Sequence, residues 1–145
     1  MENPFATNRL PQTEVLDPEG EKTEYRILVA EDSADSAAPI SLHLQQLGYE
    51  VVIANDGEEA IRVTALTRPD LILMDLTMPV LDGLAATKRI REATAPGYIP
   101  IIAVSGLSTS GFLQAAHEAG FDGYLTKPVD FDRMDGLIKT LLGAR

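Results

Sequence analysis

Residues Pro69 to Gly83 read PDLILMDLTMPVLDG, and the fold turns on how this stretch is read. The apolar residues Leu71 through Met74 run straight into the carboxylate of Asp75, and Met78-Pro79 and Asp82-Gly83 interrupt the chain beyond it. A run this short, bounded by turn residues, is the pattern of a strand buried on both faces, and such strands belong to parallel sheets flanked by helices. Asp75 then stands at the carboxyl edge of a central strand, where open α/β sheets carry ligands and chemistry. The ordinary alternative is a strand-ending aspartate that caps a turn. Against it, the chain offers matching polar residues after other short apolar runs: Glu31-Asp32 after Ile27–Ala30, Ser105 after Ile99–Val104, and Lys127-Pro128 after Tyr124–Thr126.

Outward from this stretch, strands and helices alternate. A first strand is expected over Tyr25–Ala30. A helix comes next, with Ser33 or Ser36 as cap, Ile40, Leu42, Leu44 and Leu47 as its apolar positions, and Gly48 as its stop. Pro39 fits if it lies in the first turn of that helix and distorts it otherwise. Glu50–Ala54 reads as a second strand, and Asn55-Asp56-Gly57 turns it into a helix that opens on Glu58 and Glu59 and carries Ala60, Ile61 and Leu66 inward. A third helix is expected over about Gly83 to Glu92, with Leu84, Ala86 or Thr87, and Ile90 inward. A strand over Ile99–Val104 and a weakly apolar helix over about Ser110 to Ala119 come next. Gly120-Phe121-Asp122-Gly123 turns into a short strand, Tyr124–Thr126, and the last helix spans about Asp130 to Leu142 with an apolar face of Phe131, Met134, Leu137, Ile138, Leu141 and Leu142. Five strands alternating with five helices make a doubly wound α/β domain with a parallel sheet. Residues 1–24, with Pro4, Pro11, Pro18 and Gly20 and no periodicity, read as a flexible extension preceding a domain over 25–145; Phe5, Leu10 and Leu16 give it a possible docking role.

Composition narrows the function. A chain of 145 residues holds one domain with a proper core. Its net charge of −10 argues against a nucleic-acid partner, which requires clustered Lys and Arg. There is no cysteine, hence no disulfide, thiol nucleophile or thiolate ligand, and His43 and His117 alone do not make a zinc site. With neither a signal-peptide pattern nor an apolar stretch of about 18 residues, a cytoplasmic protein with no membrane partner is expected. No GxGxxG or GxxxxGK loop comes after the first strand, which counts against dinucleotide and nucleoside-triphosphate versions of the fold.

In a doubly wound sheet, the loops after strands one, three, four and five converge at one end. Glu31, Asp32, Asp75, Ser105 and Lys127 then share one cleft. Three crowded carboxylates repel one another and are most simply kept ionised by a hard, oxygen-seeking cation such as Mg²⁺, with the lysine as further compensation. Carboxylate, divalent ion, lysine and hydroxyl are also the parts needed to move a phosphoryl group.

In this order and at these separations, Glu31-Asp32, MDLTMPVLDG, Ser105 and AGFDGYLTKP resemble a response regulator receiver domain, close in size to the single-domain chemotaxis type. The resemblance covers Tyr25 to the C-terminus. It implies a (βα)5 sandwich whose five-stranded parallel sheet has the flavodoxin-like order 2-1-3-4-5. It makes Asp75 the acceptor of a phosphoryl group from a phosphohistidine on a sensor histidine kinase or histidine phosphotransfer protein. Asp32 and Asp75 would hold Mg²⁺ directly, the backbone carbonyl of Thr77 would be a third ligand, and Glu31 would act through water. Lys127 would contact a phosphoryl oxygen, with a cis peptide bond before Pro128. The Ser105 hydroxyl would donate to another phosphoryl oxygen after moving inward, and Tyr124 would be the aromatic that changes rotamer with it. Taken alone, Ser105 would read as a loop cap and Tyr124 as ordinary strand packing.

Some positions depart from the commonest pattern. Gly106 stands where alanine is usual, and the acidic pair is Glu-Asp rather than Asp-Asp. Thr77 and Leu107 occupy the positions that influence the hydrolytic water; neither offers an amide or carboxylate, so slow self-dephosphorylation is expected. The chain ends soon after the fifth helix, so signalling is expected through a downstream protein at the face made by helix 4, strand 5 and helix 5, unless the domain belongs to a longer protein. The resulting expectation is a phosphorylation-controlled switch of a two-component system or phosphorelay, either terminal regulator or shuttle. It would catalyse its own phosphorylation rather than turnover of an external substrate. The alternatives are a phosphorylation-independent pseudo-receiver docking module and a metal-dependent phosphohydrolase. The latter would need an aspartate two positions after Asp75, where Thr77 stands.

Overall fold

A computed structural model describes residues 24–78, 81–93, 98–106 and 110–143. The expected docking residues Phe5, Leu10 and Leu16, and Leu107, lie outside the described residues, as do Pro79 and Gly97. The elements are β1 (Arg26–Ala30), α1 (Ala34–Gln46), β2 (Glu50–Ala54), α2 (Gly57–Thr67), β3 (Leu71–Asp75), α3 (Gly83–Ala93), β4 (Ile101–Ser105), α4 (Ser110–Ala119), β5 (Gly123–Thr126) and α5 (Phe131–Leu141). All pairings are parallel and the strand order is β2-β1-β3-β4-β5, so the order reverses between β1 and β3.

The sheet is buried on both faces, and the register sorts its side chains into two layers. Leu28, Ile72 and Ile101 stand side by side on one face with Ala30, Met74 and Ala103, beneath Ala60 of α2, Ala86 and Ile90 of α3, and Ala116 and Ala119 of α4. Ile27, Val29, Leu71, Leu73, Ile102 and Val104 form the other face, beneath Ala37, Ile40 and Leu44 of α1 and Met134 and Ile138 of α5. Every residue of β3 and of β4 is buried, which is why those segments are apolar without alternation.

Several expectations are corrected in detail. The inward stripe of α2 is Gly57, Ala60 and Thr64, and Leu66 is 66% exposed, because six residues past Ala60 a helix has turned off that stripe. Leu42 and Leu47 of the first helical pattern are likewise exposed, and α1 packs through Ala37, Ile40 and Leu44. Pro39 lies inside α1 rather than in its first turn, so the carbonyl of Asp35 loses its usual amide partner. The fourth strand begins at Ile101 rather than Ile99; Ile99 is buried, and the carbonyl of Pro100 accepts from Ile72. Caps fix the helix starts: Ser33 accepts from the Ser36 amide, Asp56 from Glu59, and Asp130 from Asp132 and Arg133. Gly48, at a φ of +97°, stands after α1 as the expected stop.

At the amino-terminal end of the sheet, Arg91 of α3 ties three segments together. Its guanidinium donates to the carbonyls of Gly120 (3.0 Å) and Ile99 (2.7 Å) and to the carboxylate of Asp122 (2.9 Å), and it lies over the Tyr98 ring. Asp122 also accepts from the Tyr98 hydroxyl and from the Ile101 amide.

Candidate functional site

Hydrogen bonding at the carboxyl edge of β1 and β3 brings Glu31, Asp32 and Asp75 together, because Ala30 pairs with Met74. One carboxylate oxygen from each lies within 4.8 Å of the others. Glu31 and Asp75 are buried and Asp32 is exposed; consecutive residues leaving a strand point to opposite sides, so the pair divides between an inner and an outer carboxylate. Lys127 leaves β5 and reaches both inner carboxylates, its Nζ 3.0 Å from Glu31 Oε1 and 3.4 Å from Asp75 Oδ2. The Lys127 amide donates to the Ser105 carbonyl at 2.8 Å, locking the ends of β4 and β5 together, and the Lys127–Pro128 peptide bond is cis.

The remaining lone pairs are largely assigned. Asp75 Oδ1 accepts from the Thr77 amide (3.0 Å) and from the Thr77 hydroxyl (3.2 Å). Glu31 Oε2 accepts from the Ser33 amide at 3.2 Å. Burial pushes the Glu31 carboxyl above its ordinary range; the Lys127 and Ser33 bonds oppose that rise and the Asp75 charge adds to it. Burial works against the charge on Lys127, yet the bond to Glu31 and the charges of Asp75 and Glu31 prevail and raise its pKa. The cluster therefore holds two buried carboxylates against one ammonium, with a third carboxylate facing solvent.

Ser105 is fully buried at the end of β4. Tyr124 is partly buried on β5, packs on the Leu28–Ile72 layer, and lines a groove of about 190 Å³ with Leu113, Ala116, His117 and Phe121 on the α4–β5 side. Ser105 and Lys127 thus meet at one edge, whereas Tyr124 lies along β5 away from the carboxylates. Asp82 serves as the helix-start residue expected of it, accepting from the Ala85 amide. Sequence reasoning missed the glycine contacts that seat the loop after β3. A Cβ on Gly83 would stand 2.9 Å from the Asp75 carbonyl carbon and from Leu76 Cα, and closer still to the Asp75 oxygen. The Asp-Gly pair at 82–83 was the available signal, and it reads as a turn rather than as a seat for the Asp75 backbone.

A sheet of this order, with three carboxylates and a lysine at its carboxyl edge, defines a receiver. The chain belongs to the response regulator receiver domain family, whose sequence profile matches residues 27–139. Among curated relatives it is 37% identical over 123 residues to the transcriptional regulatory protein PrrA of Mycobacterium bovis, covering 85% of this chain and 52% of that one. It is 31% identical over 117 residues to the polar-differentiation response regulator DivK of Brucella anthropi, covering 81% of this chain and 95% of DivK. The chain spans about half the length of the PrrA relatives it matches. Among solved structures it is similar to the receiver domain of a sensor histidine kinase of Pseudomonas aeruginosa, with a TM-score of 0.77 and 34% identity over 84% of this chain and all of that one; that structure has a magnesium ion coordinated in its active site cleft.

Proposed function

We propose that this receiver is a phosphorylation-controlled switch in which Asp75 accepts a phosphoryl group from a phosphohistidine. The observation that carries the reading is the position of the Asp75 carboxylate. One oxygen is fixed by Thr77 and the other lies beside the Lys127 ammonium, at the carboxyl edge of the sheet. A carboxylate oxygen of Asp75 attacks phosphorus, the P–N bond breaks, and its electron pair returns to the donor imidazole. Lys127 offsets charge on the phosphoryl oxygens in that step, and the Ser105 hydroxyl, from the adjacent strand end, donates to another of them after moving inward.

The donor set suits Mg²⁺: all-oxygen, multiply anionic, and partly open through exposed Asp32. Asp32 and Asp75 would bind it directly with the Thr77 carbonyl. As in the receiver pattern, Glu31 would act through water. When bound, the ion supplies further positive charge to the phosphoryl oxygens.

The donor is a sensor histidine kinase or a histidine phosphotransfer protein. Output passes to a protein effector through the α4–β5–α5 face, by a shift in population between two arrangements of Ser105 and Tyr124. No helix among the described residues is long and apolar enough to cross a membrane, and the reading places the domain in the cytoplasm with its kinase. Residues 1–24 form an extension to the domain over 25–145.

Incubation with Mg²⁺ and acetyl phosphate tests the acceptor. Intact mass should rise by one phosphoryl group, about 80 Da, in the wild type and not in Asp75→Asn. A wild type that binds Mg²⁺ yet takes no phosphoryl group from acetyl phosphate or from any histidine donor would leave a docking role instead.

A further inference from the structure

Gly57, the first residue of α2, is buried against the loop that leaves β3. A Cβ at this position would lie 2.7 Å from the Leu81 carbonyl carbon and 2.9 Å from Leu81 Cβ, and closer still to the Leu81 oxygen. This is backbone against backbone, so no rotamer change relieves it; one side must retreat by roughly 1 Å or more to restore ordinary contact.

Neither side retreats without disturbing the acidic cluster. On the Gly57 side, α2 is held by a reciprocal cap: Asp56 Oδ1 accepts from the Glu59 amide at 2.7 Å, and the Glu59 carboxylate accepts from the Asn55 amide. One residue earlier, the Ala54 carbonyl accepts from the amide of Glu31 at 2.9 Å, so a shift there reaches the backbone that aims Glu31. On the Leu81 side, the chain two residues on is tied back to the end of β3. The Gly83 amide donates to the Leu76 carbonyl at 3.2 Å, Gly83 rests on the Asp75 carbonyl, and Thr77 holds Asp75 Oδ1. A shift at Leu81 therefore falls, through Gly83, on the backbone of Asp75 and Leu76, next to Thr77.

We propose that Gly57 is a positioning residue for phosphoryl acceptance: its missing side chain sets the spacing between the Glu31 and the Asp75–Thr77 halves of the site. The proposal rests on the reading of Asp75 as acceptor. Misplacing reacting groups by about 1 Å lowers rates by up to roughly a hundredfold, so a fall in phosphorylation of at least about tenfold is expected in Gly57→Ala.

The test uses the full chain labelled with ¹⁵N, as wild type, Gly57→Ala, Gly57→Ala/Leu81→Gly and Gly136→Ala. Glycine at 81 removes the Leu81 Cβ and frees the backbone there to turn its carbonyl away from the new methyl, whereas a Cβ on Gly136 meets nothing within 4 Å. Amide shifts are recorded without metal, and labelling by acetyl phosphate is followed with Mg²⁺. Expected are displaced Thr77 or Ser33 amides and slowed labelling in Gly57→Ala, recovery of both toward wild type in the double variant, and neither change in Gly136→Ala. A Gly57→Ala protein that loses only stability, with those amides and the labelling rate unmoved, overturns the proposal. If Gly57→Ala does not fold, the double variant decides: native Thr77 and Ser33 amides support the Leu81 contact as the cause, and a second failure to fold rejects it. If the wild type takes no phosphoryl group from acetyl phosphate or from any histidine donor, the acceptor reading fails, and the amide shifts still decide for or against Gly57.

Discussion

Glu31 and Lys127 both have raised pKa values, and two variants separate what each shift does at neutral pH. The Glu31 carboxyl, raised above 4.5 chiefly by burial, holds its proton more tightly in the folded chain than in the unfolded one. Its contribution to stability is thus fully present below pH 4.5 and is lost as pH rises through the folded value. In chelator-treated protein, Glu31→Gln should raise the melting temperature by a few degrees near neutral pH, and the gain should shrink towards pH 4 in parallel melts. Lys127 is raised despite burial, by its bond to Glu31 and the nearby charges, so its ammonium stabilises the fold below 10.5 and that contribution is lost as pH climbs through the folded value. Lys127→Met should lower the melting temperature at neutral pH and slow labelling by acetyl phosphate, as two buried carboxylates are left without their cation. The members of this cluster were legible in the sequence because each directly succeeds an apolar run. The burial of Glu31 beside an exposed Asp32 was not, since it depends on which side of the sheet edge each residue faces.

Among the elements, α1 and α3 carry the sharpest expectations. Pro39 removes one amide from the interior of α1, and its exposed position leaves room for a helix former. Pro39→Ala should raise the denaturation midpoint, by up to about 3 kcal/mol less the entropy the proline removes from the unfolded chain. Arg91→Ala should cost about 2–3 kcal/mol in urea unfolding, because the carbonyls of Gly120 and Ile99 and the Asp122 carboxylate lose a donor together. It should leave Asp75 labelling intact, at the far end of the sheet. The strands were readable to within a residue or two, since burial on both faces demands unbroken apolar runs. Helix stripes were less so: a leucine at position 66 looks inward by composition, but the buried stripe of α2 is Gly57, Ala60 and Thr64, and position 66 has turned off it. The Arg91 tie was invisible, because its partners stand 8 to 31 residues away and two of them are main-chain carbonyls, which no side chain announces.

For the molecule as a whole, the net charge of −10 and the acidic site respond to salt differently. Added NaCl screens general repulsion and stabilises every variant alike. Mg²⁺ at matched ionic strength should stabilise the wild type further, by about 2.7 kcal/mol at a hundred times its dissociation constant, and this increment should vanish in Asp32→Asn. Thermal melts in the two salts separate the effects. That the active edge would gather four strand ends was legible once the chain was read as doubly wound. The glycine spacing between its halves was not, because it is a contact between two main chains. The tie at Arg91 has a mechanical consequence for the same sheet. It moors the carboxyl end of α4, at Gly120, to the amino-terminal end of the domain, while α4 begins at the edge where Ser105 lies. A rod pinned at one end moves most at the other, so a swing of α4 would pivot on Gly120 like a cantilever and have its greatest travel at the carboxyl edge of the sheet, the end where Ser105 lies.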